Sequence, residues 1–162
     1  TFSHFFKRIA GRYIEIHISN ITAPLNLYYL GMKSVMYPLA EKGSFFCNDS
    51  LHNKIYEVSL KTLKLCVHEH YEDCPWREQA LYSADSRNQA LCGYYAFSEY
   101  EIPKASFDLL IKGLRPDGFL NICAPTKSDL TIPSFTFAWI IAAYEYILFS
   151  GDLTIIRNYL AN

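Results

Sequence analysis

The segment Pro133 to Ser150, PSFTFAWIIAAYEYILFS, limits what this chain can fold into more than any other stretch. A proline opens it, where a first helical turn tolerates a missing amide hydrogen, and Gly151-Asp152 ends it. The pattern between is a helix apolar almost all round, and such a helix is expected to be buried on most sides. It is too short to span a bilayer, and Tyr144, Glu145 and Tyr146 interrupt it. A chain of 162 residues with four or five helices has little room to enclose it. The sequence therefore reads as part of a larger protein. Thr1 in place of an initiator Met fits that reading, as does a last helical pattern, Leu153 to Asn162, that stops partway.

The preceding residues divide at Gly43. Before it, Ile14, Ile16 and Ile18 alternate with Tyr13, Glu15 and His17, the period of a half-buried strand over 12–18. Residues 25–37, between Pro24 and Pro38, read as one or two further strands. So few strands make no stable sheet alone, so they require partners from elsewhere. After Gly43 the pattern is helical. Asn48, Asp49 and Ser50 offer N-caps, and Leu51, Ile55, Val58, Thr62 and Cys66 predict one apolar helix face running to about His70. A second helix is predicted over 86–99 with Ala90, Leu91, Tyr94, Tyr95 and Phe97 facing inward. A third carries Phe107, Leu110, Ile111 and Leu114, and Arg115-Pro116-Asp117-Gly118 stops it.

The net charge of −1 gives no electrostatic reason to expect nucleic acid or an anionic membrane as partner. The cysteines, Cys47, Cys66, Cys74, Cys92 and Cys123, are odd in number and form no CxxC pair. Neither a disulfide framework nor a four-cysteine zinc site is indicated, and free thiols point to a reducing, cytoplasmic compartment. Aromatic residues make up 16% of the chain, which suits either a sugar cleft or an aromatic-rich core.

Chemistry concentrates in Glu72–Asp85, EDCPWREQALYSAD. Cys74-Pro75 forces a loop that can aim the carboxylates of Asp73, Glu78 and Asp85 into one cavity. Like charges held close push their pKa values apart, as acid–base catalysis on carboxylates requires. Three readings follow from the residues. In a glycosidase site, one carboxyl donates a proton while others hold sugar hydroxyls or activate water. In a metal site, His68, His70, Asp73 and Cys74 would be ligands, but HxHxxDC matches no standard zinc spacing. In a structural loop, Asp73 or Asp85 caps a helix and Arg77 neutralises the acids. Cys74 lacks a placed base and Ser83 lacks a nucleophile elbow.

Asp73-Cys74-Pro75-Trp76-Arg77-Glu78, with Asp85 seven residues further on, resembles the signature loop of the α-L-rhamnosidase family. Phe46 to Asn53, Pro116-Asp117-Gly118, the Pro133-led helix and Phe149-Ser150-Gly151-Asp152 resemble that family's landmarks in order, and Arg12-Tyr13 resembles the end of its β-sandwich. The resemblance implies a mainly α chain: a partial (α/α)6 six-hairpin barrel over 46–162, preceded over 1–45 by a few strands of an incomplete β-sandwich. It implies an inverting glycoside hydrolase acting on terminal α-L-rhamnosides or a related deoxysugar, bacterial, with no cofactor or metal. Position by position, it makes Glu78 the general acid, Asp73 and Asp85 the residues holding sugar hydroxyls, and Arg77 a partner for one of these carboxylates. The family's Gly-Trp-Thr-Gly is Leu81-Tyr82-Ser83-Ala84 here, so Tyr82 is left as the aromatic wall. Trp76 and Trp139 complete the substrate-binding set, although Trp139 in an apolar helix also suits a core position. The general base belongs to a later hairpin, so the segment alone is expected to be inactive, and its exposed apolar surface invites self-association. The competing expectation is a non-catalytic carbohydrate-binding or scaffold segment.

Overall fold

In the computed structural model, which describes residue 4 and residues 7–159, five helices follow one another: α1 (Ser50–Leu65), α2 (Ser83–Phe97), α3 (Glu101–Ile111), α4 (Pro133–Ser150) and the short α5 (Thr154–Arg157). The centre is the pairing of α2 with α4, with α3 packed against both and α1 along the side of α2. Ala90, Tyr94, Phe97, Phe107, Leu110, Ala142 and Tyr146 fill the seam. Tyr94 stacks on Phe149 and Tyr100, at 4.9 and 5.6 Å between ring centroids, and Phe107 meets Tyr146 edge-on at 6.5 Å. These offset and edge-on arrangements suit the aromatic quadrupole. Trp139 belongs to the same seam: its indole N–H donates to Phe107 O at 3.0 Å.

The helix boundaries follow from local chemistry. Asp49 caps α1, its Oδ1 accepting the amides of Leu51 and His52. Pro133 stands at the start of α4, and Gly151, at φ 73°, ends it in the left-handed conformation that glycine adopts without steric cost. The first helix stops at Leu65 instead of reaching His70. A bridge between Val67 and Tyr71 folds His68-Glu69-His70 into a tight turn, and Glu72 N–H returns to Cys66 O at 2.9 Å. The second begins at Ser83, three residues earlier than expected, so Asp85 lies in its first turn and is not its cap. Leu114 falls beyond the end of α3 and is exposed.

Two predicted faces are corrected. The α1 stripe Leu51, Ile55, Val58 and Thr62 points to solvent, whereas Leu63 and the partly buried Leu60 meet the core. Helix α4 is enclosed on one side only, through Thr136, Ala142, Ala143 and Tyr146; Phe137, Ile140, Ile141, Tyr144 and Leu148 are exposed. No strand forms over 12–18 or 25–37, which run irregular and, up to the partly buried Tyr37, exposed. Their alternating isoleucines have no neighbouring strand to accept the ladder, and unpaired strands do not persist. Where the chain reaches the helices it docks closely. The amides of Lys42 and Gly43 both donate to Ala96 O at 2.9 Å, and a Cβ at Gly43 would lie 2.0 Å from Tyr95 O.

Candidate active site

The two ends of the acid loop are tied to each other. Asp73 N–H donates to Ala80 O at 3.0 Å, and Asp73 Oδ1 accepts the Ala80 amide at 2.8 Å. The next residue, Leu81, is buried and bridges Ala124, whose amide reaches Leu81 O at 3.1 Å. This fastens the loop's exit to the segment that leads into α4. Just inside the closure, Gln79 takes φ 54°, a region uncommon for a residue with a Cβ. Its side chain supports the turn from within, Nε2 donating to Pro75 O at 2.9 Å. The residues between, Trp76, Arg77 and Glu78, project from this base and are exposed.

Glu78 is held from two sides. Arg77 Nη2 donates to its Oε1 at 2.6 Å, and the Tyr82 hydroxyl donates to its Oε2 at 2.9 Å. The arginine contact is solvent-exposed and contributes little by itself. The tyrosine contact is better fixed, because the Tyr82 ring rests edge-on against Phe135 at 6.0 Å. Ser83 Oγ–H, one residue on, donates to Phe135 O at 2.5 Å and ties α2 to the first turn of α4. The hydrogen bond to the Glu78 carboxylate, reinforced by burial, raises the Tyr82 hydroxyl to about 12, because losing its proton would set two negative charges against each other.

Asp85 lies in the first turn of α2. Burial raises its carboxyl above the ordinary aspartate value, and the charges of Asp73 and Glu78 raise it further. Asp73 and Glu78 therefore lie near enough for their charges to be felt at Asp85. Tyr82 and Arg77 join them by direct contact. Trp76 sits at the loop tip, half exposed, with Lys7 Nζ 5.8 Å from its ring centroid. Trp139 is the exception within the predicted set. Its indole is committed to the α3–α4 seam, and among the described residues no hydrogen bond joins it to the loop.

Three of the residues raised as metal ligands are otherwise engaged, and Cys74 is a free thiol. His68 Nε2 is 3.1 Å from Val35 O, His70 Nδ1 is 2.7 Å from Tyr71 O, and Asp73 Oδ1 is occupied by Ala80. Among the described residues, no group of three His, Cys, Asp or Glu is disposed to hold a metal ion. No helix among them is long and apolar enough to cross a membrane.

Sequence reasoning did not single out Glu72 or Arg8. Glu72 opens the acid stretch, yet its side chain is fully buried, against Arg8 Nη2 and with His68 Nδ1 3.1 Å from the same Oε1. It is a structural acid, and its partner stands 64 residues away, beyond any local pattern. The Asp-x-x-x-x-Glu spacing picks out the half-buried Asp73 and the exposed Glu78, while nothing in residue type separates Glu72 from them.

A profile of the bacterial alpha-L-rhamnosidase 6 hairpin glycosidase domain matches residues 40–162. An alpha-L-rhamnosidase of Formosa agariphila is 38% identical, the match covering 75% of this chain and 14% of that protein. Among solved structures, a GH78 family rhamnosidase of Bacillus sp. GL1 superposes with a TM-score of 0.69 at 38% identity, covering 74% of this chain and 13% of that one. A rhamnosidase from Klebsiella oxytoca with rhamnose bound gives a TM-score of 0.62 at 21% identity, over 77% of this chain and 24% of that one, a likeness that bears on fold alone. The chain thus spans a small part of the length of the relatives it matches.

Proposed function

This chain belongs to the bacterial α-L-rhamnosidase six-hairpin glycosidase family, and from that premise we propose that it carries the acid half of an inverting glycoside hydrolase site. The observation that carries the reading is the gathering of Asp73, Glu78 and Asp85, with Glu78 exposed at the loop and gripped by Tyr82. Glu78 is the general acid. Its carboxyl proton passes to the glycosidic oxygen as the anomeric C–O bond breaks, and the bonding pair leaves with that oxygen. Water adds to the opposite face of the anomeric carbon, and its proton goes to a second carboxylate roughly 6.5–9.5 Å from the acid.

That base lies outside residues 1–162, so the segment alone does not turn over substrate. Asp73 and Asp85 accept hydrogen bonds from sugar hydroxyls. The second oxygen of Asp73 is available for this, since Ala80 uses only Oδ1. Tyr82, through its bond to Glu78, orients the acid more than it walls the sugar. The two-carboxylate reaction needs no cofactor or metal. The substrate is a terminal α-L-rhamnoside or a related deoxyhexoside, a reading that rests on the relatives named above.

The test is proton NMR of the sugar first released from an aryl α-L-rhamnoside by the full-length protein. The β anomer appears first if the enzyme inverts. The α anomer first, or no release at all, contradicts the proposal.

A further inference from the structure

We propose that Lys7-Arg8 is a clamp that holds the acid loop in its working shape, with Arg8 as a positioning residue for Glu78. The proposal rests on the glycosidase reading for its catalytic consequence, and on geometry alone for the clamp itself. Arg8 grips the loop on both sides of Glu78. Its guanidinium Nη2 contacts Glu72, the residue immediately before Asp73, while Nη1 donates to Glu69 Oε1 and Oε2 at 3.0 and 2.8 Å. Its backbone carbonyl accepts Gln79 Nε2 at 3.1 Å, on the residue immediately after Glu78. Lys7 adds a third hold at the tip, Nζ donating to Arg77 O at 3.4 Å and lying against the Trp76 ring.

The grip on Glu72 matters because that carboxylate is fully buried, whereas Arg8 is partly exposed. A buried carboxylate without a partner is costly and is driven toward water or toward its neutral form. His68 Nδ1 stands 3.1 Å from the same oxygen, and the Arg8 guanidinium in contact with it supplies the compensating charge. The backbone around Glu72 is otherwise locked, its N–H on Cys66 O and its carbonyl accepting Gln89 Nε2 at 2.7 Å. Loss of Arg8 therefore leaves the carboxylate to move and the Asp73–Ala80 closure to loosen with it. The carboxyl of Glu78 then samples positions away from the leaving oxygen. A displacement of about 1 Å at a reacting group costs up to about a hundredfold in rate.

Two measurements on Arg8→Gln separate the clamp from the chemistry. In this chain, hydrogen exchange at the Ala80 amide is expected to speed up at least about tenfold, as a closed loop becomes an open one. Adding Glu72→Gln, which removes the uncompensated charge, is expected to restore part of that protection. In the full-length protein, kcat is expected to fall about ten- to a hundredfold and KM to rise by a smaller factor, since the acid loses its position and Asp73 in the same loop is loosened too. Unchanged Ala80 exchange in Arg8→Gln, or no restoration by Glu72→Gln, overturns the clamp. Faster exchange with kcat unchanged overturns its link to Glu78. Glu78→Gln is run in parallel: if it retains full turnover the acid assignment fails, and the Ala80 result still decides the clamp.

Discussion

Glu78, Tyr82 and Asp85 do their work through different balances of burial and charge. Tyr82→Phe removes the hydroxyl that donates to Glu78 and keeps the ring on Phe135. Its expected cost in stability is about 0.5–1.5 kcal/mol, measurable by urea denaturation, with a larger relative loss in kcat than in KM. The raised Tyr82 hydroxyl has a signed consequence. The folded state holds that proton more tightly than the unfolded state, so its contribution to stability is complete below about pH 10 and is lost as pH rises through about 12. In Glu78→Gln the carboxylate charge is gone and Tyr82 ionises at lower pH, which NMR of labelled tyrosine detects.

Asp85 runs the opposite way. Its carboxyl is raised, so the folded state prefers it protonated, and stability declines as pH rises through its titration. Asp85→Asn is therefore expected to raise Tm at pH 7, measured by calorimetry, while weakening sugar binding. The cluster itself was legible in the sequence, because Cys74-Pro75 forces a loop and the three acids lie close along the chain. The long-range partner of Glu72 was not, since Arg8 carries no local mark.

At the scale of elements, α2 and α4 are fastened by Arg87 and Glu145. Arg87 Nε and Nη2 donate to the two carboxylate oxygens at 3.0 and 2.6 Å in a bidentate pair. Glu145→Leu leaves the guanidinium unpaired at the seam and is expected to cost ~1–3 kcal/mol by denaturant unfolding. The double replacement Arg87→Met with Glu145→Leu is expected to cost less than the single one, because no unpaired charge remains. The caps at Asp49 and Gly151 and the proline at α4's start carry their signals in residue type, and the structure uses them where the sequence put them. The inward face of α1 was misread because it is decided by packing. A helix with apolar residues on more than one side offers several stripes, and only the tertiary partner selects among them.

For the whole molecule, the unenclosed sides of α1 and α4 set the behaviour. Leu51, Ile55 and Val58 on one helix, and Phe137, Ile140, Ile141, Tyr144 and Leu148 on the other, stand in solvent. Contiguous apolar surface of this kind drives association. This chain alone is expected to self-associate at micromolar concentration in sedimentation velocity, and a single monomeric species there would count against that expectation. The nearly all-apolar α4 gave warning of this in the sequence. The alternation over 12–18 reads as strand in the sequence, but so few strands make no stable sheet alone, and the structure is irregular there.

The most direct test of the acid role of Glu78 uses two leaving groups in the full-length protein. A good leaving group such as 2,4-dinitrophenolate departs with little help from an acid, whereas a sugar hydroxyl needs the proton. Glu78→Gln is expected to cut kcat/KM on a disaccharide rhamnoside by about 10²–10⁴-fold and to leave the dinitrophenyl rhamnoside within about tenfold of the parent. Equal losses on both substrates, or none on the disaccharide, would contradict Glu78 as the proton donor.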